Sequence, residues 1–184
     1  MRGRAVDEAA QIISFWRQAG QERWFKRDDA FDAGITARFA GLHARAASGA
    51  LAAWEENAQG ALALLLLLDQ FPRNMFRASA RAFATDAQAR AVADRALARK
   101  FDAAAEPELR QFFYLPFMHS ENIADQERCV ALYEGAHDAG GAGYARTHRG
   151  IVARFGRFPH RNRALSRQTS PEEQAFLDEG GFAG

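Results

Sequence analysis

Cys129 is the only cysteine in 184 residues, which rules out an intramolecular disulfide and a cysteine-rich zinc site. That usage fits a reducing compartment, so a cytoplasmic protein with a small buried thiol is expected. Long apolar runs are missing as well. The longest, Ala61 to Leu68, would extend about 12 Å as a helix against roughly 30 Å of hydrocarbon, so no membrane span is predicted. The first ten residues carry Arg2, Arg4, Asp7 and Glu8 with no apolar stretch behind them, and they read as neither a secretory signal nor an anchor. Alternating β-branched runs are absent too, which argues against strands. The last absence is local: no acidic residue lies between Asp138 and Glu172.

That acid-free stretch holds seven arginines, Arg146, Arg149, Arg154, Arg157, Arg161, Arg163 and Arg167. Without them, 17 of the 24 basic side chains remain to face 23 acidic ones, so a net charge of +1 hides a segregated distribution. Arginine without lysine favours forked hydrogen bonding to carboxylate or phosphate. Nucleic acid is a weaker partner, because the overall charge is balanced and Phe155, Phe158 and Pro159 interleave the arginines in a packing pattern. A chain of this length fits one domain, 1–184, able to bury about 70% of its unfolded surface.

The periodicity is helical. Val6, Ala9, Ile13 and Trp16 share a face, as do Ile35, Phe39, Leu42 and Ala46, and again Ala89, Val92, Ala93, Ala96, Leu97 and Phe101. Thr85 with Gln88 reads as a capping box opening a helix over 86–100. Ser170, Pro171 and Glu173 read as N-cap, N1 proline and N3 acid of the last helix. Further helices are expected over Asn57 to Phe71, Glu108 to His119, Asp125 to Asp138 and Tyr144 to Phe155. Their short connections imply antiparallel hairpins. The fold class is all-α, without an exact repeat. Trp16, Trp24 and Trp54 are expected in the core.

One element recurs loosely. Phe71-Pro72-Arg73-Asn74 follows an apolar helix that should stop at or before Phe71, because proline disfavours a helical residue ahead of it. Phe158-Pro159-His160-Arg161-Asn162 repeats it with one residue inserted, and Phe112 to Asn122 sets polar residues after a third aromatic, proline-containing segment. Stacked hairpins would bring all three together.

LLLLLDQFPRNMFR, FFYLPFMHSEN and HRGIVARFGRFPHRNRALSR, with FWR near the start and SPEEQAFL near the end, resemble the family catalogued as domain of unknown function 924, from about Ile12 to Leu177. The resemblance implies a bacterial-type protein folded as a degenerate tetratricopeptide-like right-handed superhelix. The shared motif positions are Asp69, Gln70, Arg73, Asn74, His119, Glu121, His148, Arg149, Arg154, Arg157, His160, Arg161 and Asn162. In similar sequences a glycine precedes the arginine before the closing helix, whereas here Ser166 precedes Arg167.

Several chemistries fall away. No Gly-x-Ser-x-Gly elbow is present, and Gly140-Gly141-Ala142-Gly143 lacks a preceding strand and a Lys-Ser/Thr pair, so it reads as a connector rather than a phosphate loop. His119 and Glu121 alone make too small a set for metal, and neither a metal nor a cofactor is assigned. His148 sits on an apolar stripe and is expected as a hydrogen-bonded core histidine, with His43 and His137 at surfaces or helix ends.

Three readings remain. The chain binds an anionic small molecule or an acidic peptide or protein through Asp69, Arg73, Asn74, Arg149, Arg154, Arg157, Arg161 and Asn162. Alternatively it is a small enzyme with His119, Glu121, His148 or His160 exchanging a proton with an anionic substrate. In the third, the arginines pair with Asp69, Glu121 and Asp125 and only hold the hairpins in register.

Overall fold

The computed structural model describes residues 2–182, with side chains from residue 8 onward. Val6 of the expected stripe and the charges at Arg2, Arg4 and Asp7 lie outside the described side chains. The described chain is all-helical, 74% helix with no strand. No described helix is long and apolar enough to cross a membrane. Two compact units form, one from residues up to Arg77 with Arg81–Pro116, the other from Ala78–Ala80 and Phe117 onward.

In the first unit α1 (Arg2–Ala19) and α2 (Gln21–Trp24) precede α3 (Asp29–Ala47), which Asp28 caps by accepting from the Phe31 amide at 3.0 Å. α4 (Ala58–Leu65) packs on α1 and on α6 (Asp86–Ala98), while α5 (Phe71–Met75) packs on α3. The predicted stripes supply the core: Ile13, Trp16, Ile35, Phe39, Ala89, Val92, Ala93 and Ala96 are buried. Trp16 stacks on Trp24 at 5.8 Å and meets Phe71 and Phe112, and the Trp24 indole N–H donates to the Trp16 carbonyl at 2.7 Å.

The helix expected to stop at Phe71 does not stop. A π-helical turn, Leu66–Gln70, joins α4 to α5, and the chain stays helical through Pro72. The Phe71 amide bonds Leu66 O five residues back, and Pro72 has no N–H to offer Leu68 O. Side chains supply the donors instead. His43 Nδ1 meets Leu67 O at 2.9 Å and Thr85 Oγ1 donates to Leu68 O at 2.5 Å. Hence Thr85 forms no capping box, and Gln88 donates to Ala47 O at 2.9 Å. His43 is half-buried in this role rather than a surface histidine. The helix expected over 108–119 is broken into α7 (Pro107–Arg110), a 3-10 turn at Gln111–Phe113 and α8 (Leu115–Met118), with Pro116 inside the last piece.

In the second unit Asn122 caps α9 (Ile123–Gly135), accepting from the Ala124 amide at 2.8 Å. A short link leads to α10 (Ala139–Phe155), which packs along α9. Asp138 caps α10 through the Gly141 amide at 2.8 Å, so the glycines form its first turn instead of a connector. Gly141 is required there: a Cβ would lie 2.2 Å from the Tyr133 ring of α9. Gly156, left-handed at φ +68°, ends α10. A 3-10 turn at Pro159–Arg161 then leads to α11 (Pro171–Asp178), where the expected N-cap Ser170 and N3 acid Glu173 bond each other's backbone amides in a capping box.

Candidate functional site

The first Phe-Pro motif builds a closed network within its own unit. Arg73 spans Asp86 with two bonds at 3.0 Å and contacts the Asp69 carboxylate at 3.2 Å and carbonyl at 2.7 Å. Burial opposes its charge, and Asp69 and Asp86 more than offset that, so its pKa is raised. Asn74 donates to Asp32 at 2.8 Å, Arg77 pairs with the same carboxylate, and Gln70 bridges Asn74 and Trp24 O at 3.2 Å each. Asp69, Arg73 and Asn74 therefore have protein partners. Asp32, Arg77 and Asp86 were not readable beforehand, since the Arg77–Asp32 pair joins positions 45 apart.

In the other unit the second motif meets the polar end of the third, His119 to Asn122. Glu121 accepts both arms of Arg167 at 2.7 and 2.9 Å and the Phe158 amide at 2.9 Å. Burial works against its charge, but Arg167, that amide and Arg161 prevail and hold its carboxyl below the usual range. Glu173 takes Arg157 Nε at 2.6 Å and Nη2 at 2.8 Å, together with Asn162 Nδ2 at 3.2 Å, while it closes the α11 capping box. The Arg157 bonds, ahead of those from Ser170 and Asn162, bring Glu173 down to about 2. Gln126, unmarked in the sequence, reaches the carbonyls of Met118 at 2.7 Å and Ser120 at 2.5 Å and so ties down the chain between α8 and α9.

His148 and His160 lie within electrostatic reach of one another, of His119 and of Arg161. His148 is buried on α10 as expected, its Nδ1 bonded to Tyr144 O at 2.8 Å. Burial lowers it to about 4, aided by His119 and Arg161. Burial, then Arg161 and His148, lowers His160 to about 3, and its Nδ1 is buried without a hydrogen-bond partner. Arg161 Nη1 donates to His119 O at 2.9 Å, and its guanidinium lies 4.4 Å from the Phe158 ring centre. The Phe182 ring lies 4.5 Å from His148 and 5.3 Å from His160, a placement that no sequence spacing signals.

The remaining candidates are dispersed. Arg154 pairs with Glu172 at 3.0 Å and Arg146 with Glu134, while Arg149 and Arg163 are exposed. Arg154 and Arg157 line an open depression of about 310 Å³ with Glu172 and Glu173, so its formal charges cancel. Burial pushes the Cys129 thiol up to about 12, which leaves it inert as a nucleophile. Among the described residues no group of three or more His, Cys, Asp or Glu is placed to hold a metal ion.

Residues 12–181 match a family model described as bacterial protein of unknown function, DUF924. A solved structure of the protein of unknown function ATU0120 from Agrobacterium tumefaciens is 49% identical, with a TM-score of 0.91 over 95% of this chain and 98% of that one. No curated protein matches.

Proposed function

The chain belongs to the DUF924 family of bacterial proteins of unknown function, and from that premise we propose that it is a helical binding protein, tetratricopeptide-like in the stacking of its hairpins, that takes the carboxylate or phosphate group of a small anionic molecule at His119, His148, His160 and Arg161. The observation that carries this reading is the grouping of His148 and His160, whose pKa values are lowered, within electrostatic reach of Arg161, with His160 Nδ1 buried and unbonded. An N–H or lone pair without a partner in a buried setting costs about 1–3 kcal/mol. A ligand oxygen relieves that cost and brings a negative charge beside Arg161. In this reading Asp69, Arg73, Asn74 and Arg157 form the frame, because their polar groups are already committed, and Asn162 joins it through its Nδ2 bond to Glu173.

Binding is favoured over catalysis by the basicity of the histidines. A general base works best with a pKa near the operating pH, and imidazoles at about 3 and 4 are poor proton acceptors at neutrality. The purely structural reading draws on the occupied forks of Arg73, Arg157 and Arg167. A thermal-shift series with inorganic phosphate, citrate and phosphorylated sugars separates the two. At 100 times the dissociation constant a ligand stabilises the fold by about 2.7 kcal/mol. We expect such a shift in the parent chain, larger at pH 5.5 than at pH 7.5 because the anion favours protonated imidazole, and its loss in His160→Phe. No shift with any anion, or an equal shift in His160→Phe, overturns this assignment in favour of a structural network.

A further inference from the structure

We propose that the segment Gly180–Phe182 is a removable cover over the histidine and arginine site, hinged at Gly180, which closes the site with the Phe182 ring and releases it in acid. The inference rests on the binding reading above for what the opened site receives, while the cover itself rests on geometry. At the end of α11 the Gly180 amide bonds Leu177 O at 3.2 Å and the Gly181 amide bonds Phe176 O at 2.9 Å, a helix-closing turn that reverses the chain. Gly180 is left-handed at φ +82°, and a Cβ on Gly181 would fall 2.4 Å from Phe176 O. Both positions need glycine. The reversal lays Phe182 edge-on against His148 and His160, over the apolar cluster of Ile151, Val152 and Phe158.

Phe182 is held by this packing and is half-buried, so it forms the outer layer of the cluster. It meets His148 at 4.5 Å and His160 at 5.3 Å, so its ring packs against both imidazoles. Phe182 meets His148 and His160, and the charged groups acting on those two are His119, Arg161 and Glu121, the last of them paired with Arg167. Glu121, paired with Arg167 and the Phe158 amide, favours a His160 imidazolium, but burial, Arg161 and His148 outweigh it. The covered state therefore favours neutral imidazole. A histidine whose covered pKa lies below its ordinary 6.5 stabilises the cover fully above that value and loses the contribution as pH falls toward about 4.

The test uses the full chain, its Phe182→Ala and Phe182→Leu variants, histidine titration by NMR, and inorganic phosphate as the probe anion. In Phe182→Ala the pKa values of His148 and His160 should rise by at least one unit, and phosphate should bind at least tenfold more tightly at pH 7. Phe182→Leu, which keeps an apolar cover, should stay close to the parent. Histidine pKa values unchanged in Phe182→Ala overturn the cover, even if phosphate binds. Raised pKa values with phosphate binding to none of the three proteins support the cover and overturn the anion site beneath it.

Discussion

The same dipeptide, Phe-Pro, adopts opposite conformations in the two units. Phe71 is helical at φ −62°, ψ −36° and carries the helix into Pro72, whereas Phe158 is extended at φ −92°, ψ 108° and Pro159 opens a new turn. The local preference of a residue before proline is met only at Phe158. What precedes each proline makes the difference. Gly156 has already ended α10 before Phe158, so no helix remains to be broken. Ahead of Phe71 the buried leucines run on, a π-turn widens the helix, and His43 and Thr85 satisfy carbonyls that the π-turn and the proline leave without amides. An interior proline costs about 3 kcal/mol or more, and it persists where packing and donors from other elements offset it.

An arginine beside each Phe-Pro, Arg73 after the first and Arg157 before the second, carries the contrast into energetics. Arg73, its side chain 16% exposed, is shared between two acids, while Arg157, 31% exposed, meets the single buried carboxylate of Glu173. Replacing Arg73 by Met strips a shared cation from buried carboxylates, and a loss of about 3–5 kcal/mol is expected by urea denaturation. A loss below 1 kcal/mol would erase the distinction. Glu173→Gln should cost less, about 1–2 kcal/mol, because glutamine keeps the shape and a carbonyl acceptor for the Ser170 amide and Asn162. The parent's Glu173 contribution is present above the ordinary carboxylate pKa near 4.5 and disappears as pH falls toward about 2, so the acid limb of the stability profile should flatten in Glu173→Gln. The smallest effect is a gain. Ser166 adopts φ +54°, a left-handed conformation that favours glycine, and Ser166→Gly should stabilise by about 1 kcal/mol, raising Tm by about 2–4 °C.

Much of the helical frame was legible because it depends on spacing. The buried tryptophans, the stripes of α3 and α6, the Ser170–Glu173 cap and the buried Cys129 follow from periodicity or from residues three or four apart. Misreadings came where an interaction reaches beyond that range. Thr85 and Gln88 have capping-box spacing, yet both serve carbonyls of other segments. The glycines at 140, 141 and 143 look like a linker, yet Gly141 exists for its close approach to Tyr133. His148 could be placed on an apolar face, but its neutrality depends on what lies around it.

By itself the sequence determined an all-helical chain, the faces that form its cores, and the acid-free arginine segment, because helical periodicity and end chemistry are local. Tertiary structure alone decided that Arg73 meets Asp86, that Arg167 meets Glu121 at a separation of 46, and that burial lowers the pKa values of His148 and His160 where the Phe182 ring packs on them. Ion pairing and desolvation depend on distance and coverage in space, and neither is written in the spacing of residues along the chain.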